Sequence, residues 1–220
     1  MLRKPETGRQ PMNCEVKICG ITNVDDALIA LEAGADYLGV VLYEKSPRAV
    51  SMQAVCRLRD CLPETARLVA VSVNAARQDL DRLVNDAGLY AVQLHGDEAA
   101  ADWCDVSAYP LWRATAYQSG AWLPQAEQWP FVQRLVVDAA APGVYGGSGS
   151  SADWHAASEL AARRCCMLAG GLTPDNIAQA VLAVNPAGVD VSSGVEAAPG
   201  RKDSAKVREF IRHAKNAGKQ

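Results

Sequence analysis

The 220-residue chain has no run of apolar residues approaching the ~18–20 needed to cross a bilayer, which leaves out a helical membrane span. It has no surplus of positive charge either. Twenty-two Lys and Arg stand against 25 Asp and Glu, a formal net charge of -3, so no basic field points to nucleic acid. Its seven cysteines (Cys14, Cys19, Cys56, Cys61, Cys104, Cys165 and Cys166) form no CxxC motif and no Cys/His pair at zinc-ligand spacing. The opening segment MLRKPETGRQPMNCEVKICG lacks the apolar stretch of a secretory signal. Free thiols without an export signal imply a reducing, cytoplasmic setting. Residues 1–13 read as a disordered leader or an expression remnant, with Met12 as an alternative start. Low-complexity tracts and charge blocks are missing as well.

What is present is an ordinary globular balance, 49% apolar and 21% charged. A chain of this length buries roughly 70% or more of the surface its unfolded form exposes. Length alone permits two small domains or one large α/β domain.

Short β-branched runs alternate with amphipathic segments along the sequence. Strands are expected at 15–19, 37–42, 67–73, 91–94, 111–116, 135–138, 165–169 and 189–192. The second is apolar at nearly every position, as in a parallel strand buried on both faces. Helices are expected between them: one capped by Thr22 with Asp25 and ended by Gly34, one capped by Ser51, and others at 77–87, 98–104, 121–128, 154–163, after Pro174, and at 204–217. Eight strand–helix pairs predict a single α/β domain over residues 14–217, a (β/α)8 TIM barrel near minimum size. A doubly wound open sheet is the rival, since alternation alone also permits it.

In such a barrel the site lies at the C-terminal ends of the strands. Those positions carry Cys19, Arg48, Asn74, Gln93, His95, Arg113, Asp138, Gly170-Gly171 and Ser192-Ser193-Gly194. The glycine-rich ends of the last two strands suit a phosphate cradle, because backbone N–H groups can approach a ligand closely there; they also serve simply to turn the chain. The loop Gly146-Gly-Ser-Gly149 is a further source of donors. Cys19 and Asp138 would face each other across the barrel mouth as an acid/base pair. They are equally an inert buried thiol and a loop cap. Arg48 offers a planar donor fork for a carboxylate or phosphate, or is a solvated loop arginine. Gln93 and His95 could bond a ligand, although His95 beside Gly96 could also cap a helix. His155 and His213 read as surface residues and the five tryptophans as packing residues.

Taken together the motifs resemble the phosphoribosylanthranilate isomerase family. They are Lys17-Ile-Cys-Gly-Ile-Thr22, GADYLGVVLYEKSPRAVS (34–51), Val92-Gln-Leu-His-Gly96, Leu135-Val-Val-Asp138, GGSGSSADW (146–154), LAGGLTPDNI (168–177), GVDVSSGVE (188–196) and GRKD (200–203). The resemblance implies an Amadori rearrangement of N-(5-phosphoribosyl)anthranilate to the aminodeoxyribulose phosphate, a step of tryptophan biosynthesis. It makes Asp138 the general acid at the ring oxygen and Cys19 the general base at C2. Arg48 would hold the anthranilate carboxylate, with Gln93 and His95 beside the substrate. Gly170, Gly171, Ser192, Ser193 and Gly194 would hold the phosphate. No metal or organic cofactor is implied, because the substrate nitrogen is the electron sink. The expected partner is a phosphorylated small molecule, with no nucleic acid or membrane, and the expected state is a monomer. Two departures stand out. Ser148, Ser150, Ser151 and Ala152 fall where the family commonly reads GGTGKTFDW, and Leu42 replaces a common aromatic. A related barrel such as indole-glycerol-phosphate synthase or an epimerase, and a barrel that only binds a phosphometabolite, are the competing readings.

Overall fold

The structure is a computed structural model that describes residues 14–118, 121–123, 126–137 and 154–217. Its strands are β1 (Glu15–Cys19), β2 (Tyr37–Val41), β3 (Leu68–Ser72), β4 (Ala91–Leu94), β5 (Leu111–Gln118), β6 (Ala121–Leu123), β7 (Arg134–Val137), β8 (Cys166–Leu168), β9 (Gly188–Val191), β10 (Glu196–Ala198) and β11 (Arg201–Lys202). Its described helices are α1 (Val24–Glu32), α2 (Met52–Asp60), α3 (Arg77–Ala87), α4 (Trp154–Ala161), α5 (Ile177–Val184) and α6 (Ser204–Asn216).

Strands β1–β5 and β7–β9 pair in parallel, each with the next. The β4–β5 and β9–β1 pairings then close the ring into an eight-stranded barrel. Closure excludes the open doubly wound sheet. The continuous apolar run in β2 follows directly, since each of its faces meets a dry layer. Leu38 and Val40 face outward into the core under the helices, whereas Tyr37 faces inward with Val69, Ala91, Trp112, Val136, Met167 and Ala169.

The bottom of the barrel is sealed by charge and aromatic rings. The Tyr37 hydroxyl donates to Glu15 Oε1 at 2.8 Å, and Arg134 Nη2 donates to that hydroxyl at 3.1 Å. The Arg134 guanidinium lies 5.3 Å from the ring centres of both Tyr37 and Trp112, and Tyr37 meets Trp112 edge to face at 5.0 Å. Trp103, Trp112 and Trp129 are buried and Trp122 and Trp154 half-buried, in keeping with a packing role.

Four local expectations are corrected. The α1 cap is Asn23 and not Thr22. Asn23 Oδ1 accepts from the Asp26 N–H at 2.8 Å, while Thr22 Oγ1 donates to the Gly200 carbonyl at 2.6 Å and so joins the first loop to the β10–β11 hairpin. The segment 98–104 forms only a 3-10 turn at Ala100–Asp102. Glu98, which would have opened the helix, instead pairs with buried Arg113 and accepts from the Gly96 and Asn74 N–H groups. Where a helix was expected at 121–128, β6 folds back antiparallel on β5, with Trp122 against Tyr117 at 5.2 Å, and a 3-10 turn follows at Ala126–Gln128. His213 is half-buried rather than superficial, with Nδ1 2.8 Å from the Pro174 carbonyl.

Candidate active site

A cavity lies at the C-terminal ends of the strands, about 790 Å³ when the solvent space at its open mouth is included. Nine of the expected residues line it: Cys19, Arg48, Gln93, His95, Gly170, Gly171, Ser192, Ser193 and Gly194. Asp138 and the loop 146–153 lie outside the described residues. Asn74 and Arg113 do not line the cavity. Asn74 ties neighbouring loops together through Asp97 and Glu98, and the Arg113 guanidinium is buried over the Trp129 ring at 4.6 Å. Their polarity is spent on structure.

Cys19 is placed by the end of β1, where it sits in register with Gly39 of β2. A Cβ on Gly39 would lie 2.7 Å from the Cys19 Sγ, so the missing side chain makes room for the thiol. The main influence on this thiol is burial, which raises its pKa. Lys17 lowers it, Asp190 raises it and Lys202 lowers it; on balance it stands above the ordinary thiol range. The remaining thiols have no such cationic setting in the cavity. Burial pushes Cys14 and Cys166 up to about 12, Cys56 is half-buried, and Cys61, Cys104 and Cys165 are exposed; all seven are free.

Arg48 reaches the cavity from the loop after β2 and is held in place. Its Nε and Nη2 donate to the two carboxylate oxygens of Glu196 at 2.8 and 2.7 Å. Lys202, fully buried, donates to Glu196 Oε1 at 2.9 Å and to the Ser192 carbonyl at 3.3 Å. Burial would raise the Glu196 carboxyl, but Arg48 and Lys202 together hold it below the usual range. Gly20, at φ +76°, lets this arginine pass: a Cβ there would overlap its Cδ. Arg48 is therefore neither a free fork nor a solvated loop residue. It is an oriented cation with Nη1 outside the Glu196 fork.

At the end of β8, Gly170 and Gly171 adopt φ +85° and +63°. Gly194 lies in a 3-10 turn at Ser193–Val195 after β9, and a Cβ on it would overlap the Leu172 carbonyl. The two loops thus meet backbone to backbone. Inside the cavity Gln93 Nε2 lies 3.2 Å from His95 Nδ1. Three buried polar atoms on its lining, Gln93 Oε1, Asp190 Oδ1 and Ser192 Oγ, have no hydrogen-bond partner among the described residues. Unpaired buried polar atoms are costly, and a polar ligand would satisfy them.

Sequence reasoning assigned no role to Lys17, Asp190, Glu196 or Lys202. A signal existed for the first two, each being a charged residue flanked on both sides by apolar ones within a strand. The last two lie in GVDVSSGVE (188–196) and GRKD (200–203), where no neighbour in sequence identifies a partner for them.

The chain is similar to known proteins over nearly its whole length. It matches the family described as N-(5'phosphoribosyl)anthranilate (PRA) isomerase over residues 16–213. An N-(5'-phosphoribosyl)anthranilate isomerase of Trichlorobacter lovleyi is 45% identical over 204 residues, covering 92% of this chain and 98% of that protein. Among solved structures, phosphoribosyl anthranilate isomerase in complex with reduced 1-(o-carboxyphenylamino)-1-deoxyribulose 5-phosphate superposes with a TM-score of 0.80 at 35% identity, covering 92% and 99% of the two chains. The same values hold for monomers generated from the dimeric enzyme of Thermotoga maritima.

Proposed function

The chain belongs to the N-(5'-phosphoribosyl)anthranilate isomerase family, and from that premise we propose how its own residues carry out the reaction. The activity is isomerisation of N-(5-phospho-β-D-ribosyl)anthranilate to 1-(2-carboxyphenylamino)-1-deoxy-D-ribulose 5-phosphate in tryptophan biosynthesis. Membership sets aside the readings as a synthase, an epimerase or a binding-only barrel.

The observation that carries the site assignment is one cavity bordered by Cys19, an oriented arginine and two glycine-bearing loops. The phosphate binds at Gly170, Gly171, Ser192, Ser193 and Gly194, and Nη1 of Arg48 reaches the anthranilate carboxylate. Gln93 and His95 bond the substrate between these ends. Asp138 donates a proton to the furanose oxygen as the C1–O bond breaks, which leaves an iminium at C1. The Cys19 thiolate then takes the C2 proton, the C–H electrons flow toward nitrogen, and the enolamine tautomerises to the ketone. In support of the acid, Asp138 is two residues beyond Val136, whose side chain faces the barrel interior. The catalytic domain spans residues 14–217, and the free thiols favour a cytoplasmic setting.

Steady-state kinetics of Arg48→Met test the carboxylate grip. KM is expected to rise by about tenfold to a hundredfold, the worth of a charge-assisted hydrogen bond, with a smaller change in kcat. An unchanged KM would remove Arg48 from substrate binding.

We also propose a monomer. The large apolar side chains exposed among the described residues, Leu28, Tyr117 and Leu182, stand on three different elements. Sedimentation velocity at micromolar concentration is expected to give the mass of one chain; a stable dimer peak would refute this.

A further inference from the structure

Beneath Cys19 the barrel interior contains a charge pair that the mechanism above leaves without a task. Lys17 of β1 stands in register with Asp190 of β9, and its Nζ donates to Asp190 Oδ2 at 2.8 Å. The lysine side chain is wholly inaccessible and that of Asp190 only 8% exposed. A buried ion pair is weak ground for stability, since the cost of taking both charges out of water rivals their attraction. Apolar side chains would fill this layer of the barrel at least as well.

The location of the pair supplies a reason for it. Lys17 and Cys19 are two residues apart on one strand and so point the same way. Both close on the spot left empty by Gly39: a Cβ there would be 2.7 Å from Cys19 Sγ and 3.0 Å from Lys17 Cε. The ammonium donates to Asp190 and, against the raising effect of burial, is the foremost of the charges that favour the Cys19 thiolate. We propose that Lys17, anchored by Asp190, is the positioning residue that sets the ionisation of Cys19, holding a fixed positive charge beside the sulfur so that more of it is thiolate at a given pH than burial alone would leave. This rests on the reading of Cys19 as the general base.

Other charged groups face Cys19 from the elements around it, and none replaces Lys17. Lys202 of β11 and Arg48 of the loop after β2 are both engaged by Glu196, and His95 borders the same cavity from the loop after β4. Burial would by itself lower the Lys17 ammonium, but Asp190 and Cys19 more than reverse this, so Lys17 stays charged. Asp190, the negative charge that works against the thiolate, is paired through the same contact.

The test measures the ionisation of Cys19 directly. Iodoacetamide labelling of the Cys19 peptide is followed by mass spectrometry across pH in the wild type, Lys17→Met, Asp190→Asn and Lys17→Met/Asp190→Asn. The double variant leaves no unpaired carboxylate, and it serves if Lys17→Met fails to fold. Loss of a cation at this range is expected to move the labelling midpoint up by about 1–3 pH units. The acid limb of kcat/KM should move with it, lowering kcat/KM at neutral pH by about tenfold or more. Lys17→Arg, which keeps the charge, should restore part of both. An unmoved midpoint in folded Lys17→Met, or in Lys17→Met/Asp190→Asn relative to Asp190→Asn alone, overturns the proposal. A midpoint that rises while kcat/KM stays constant upholds the role of Lys17 in ionisation and refutes Cys19 as the base.

Discussion

Turnover by the Cys19→Ser variant is expected to fall by about 10²-fold or more, the usual scale of a general base, with KM little changed. The exchange replaces one sulfur by oxygen beside Gly39, so packing is nearly preserved. A hydroxyl, however, does not ionise in the range where a thiol does. The cations that favour the thiolate, Lys17 first and then Lys202, cannot make serine an alkoxide at neutral pH. Because burial raises the Cys19 thiol, the thiolate fraction and hence kcat/KM of the wild type should climb as pH rises from neutral into the alkaline range. The serine variant should lose that limb. Turnover within a few fold of wild type, measured on purified enzyme at neutral pH, would exclude Cys19 as the base.

Asp138→Asn is expected to be at least as damaging, again by about 10²-fold or more in kcat. Opening the ring expels an alkoxide, a poor leaving group unless a proton arrives as the C–O bond breaks. Asparagine matches the shape of the acid and can still hydrogen-bond the ring oxygen, but it has no proton to give. The two variants should therefore differ in their pH profiles. Loss of the acid removes the alkaline fall of the rate, whereas loss of the base removes the rise from the acid side. A variant with normal kcat, or one that retains the alkaline fall, would show that another group protonates the ring.

The barrel was legible in the sequence because strand and helix periodicities are local. Side chains alternate along a strand whatever lies beside it, so the apolar run of β2 reports burial on two faces. Ser51 caps α2 as its sequence suggests, through a bond to the Ala54 N–H three residues on. Where local signals competed with distant demands the sequence misled. Glu98 sits at a plausible helix start, yet a buried arginine fifteen residues away claims its carboxylate. Thr22 looks like a cap, yet Gly200 takes its hydroxyl and Asn23 serves instead.

The candidate site divides in the same way. Cys19, Arg48, Gln93, His95 and the two glycine-bearing loops were identifiable because each stands near or just beyond the C-terminal end of a strand, and strand ends converge in a closed barrel. Their electrostatic setting was not. Lys17 meets Asp190 across 173 positions, and Arg48 meets Glu196 across 148. Neither contact leaves a trace in local periodicity.

The sequence by itself therefore determined the elements, their alternation and the side chains delivered to the barrel mouth, because those depend on backbone geometry repeated over a few residues. The tertiary structure decided that the sheet closes and that Arg48 is oriented rather than free. It also decided that, among seven free thiols, Cys19 has a buried lysine beside it. Those outcomes depend on register between strands far apart in the chain, and register exists only once the ring is formed.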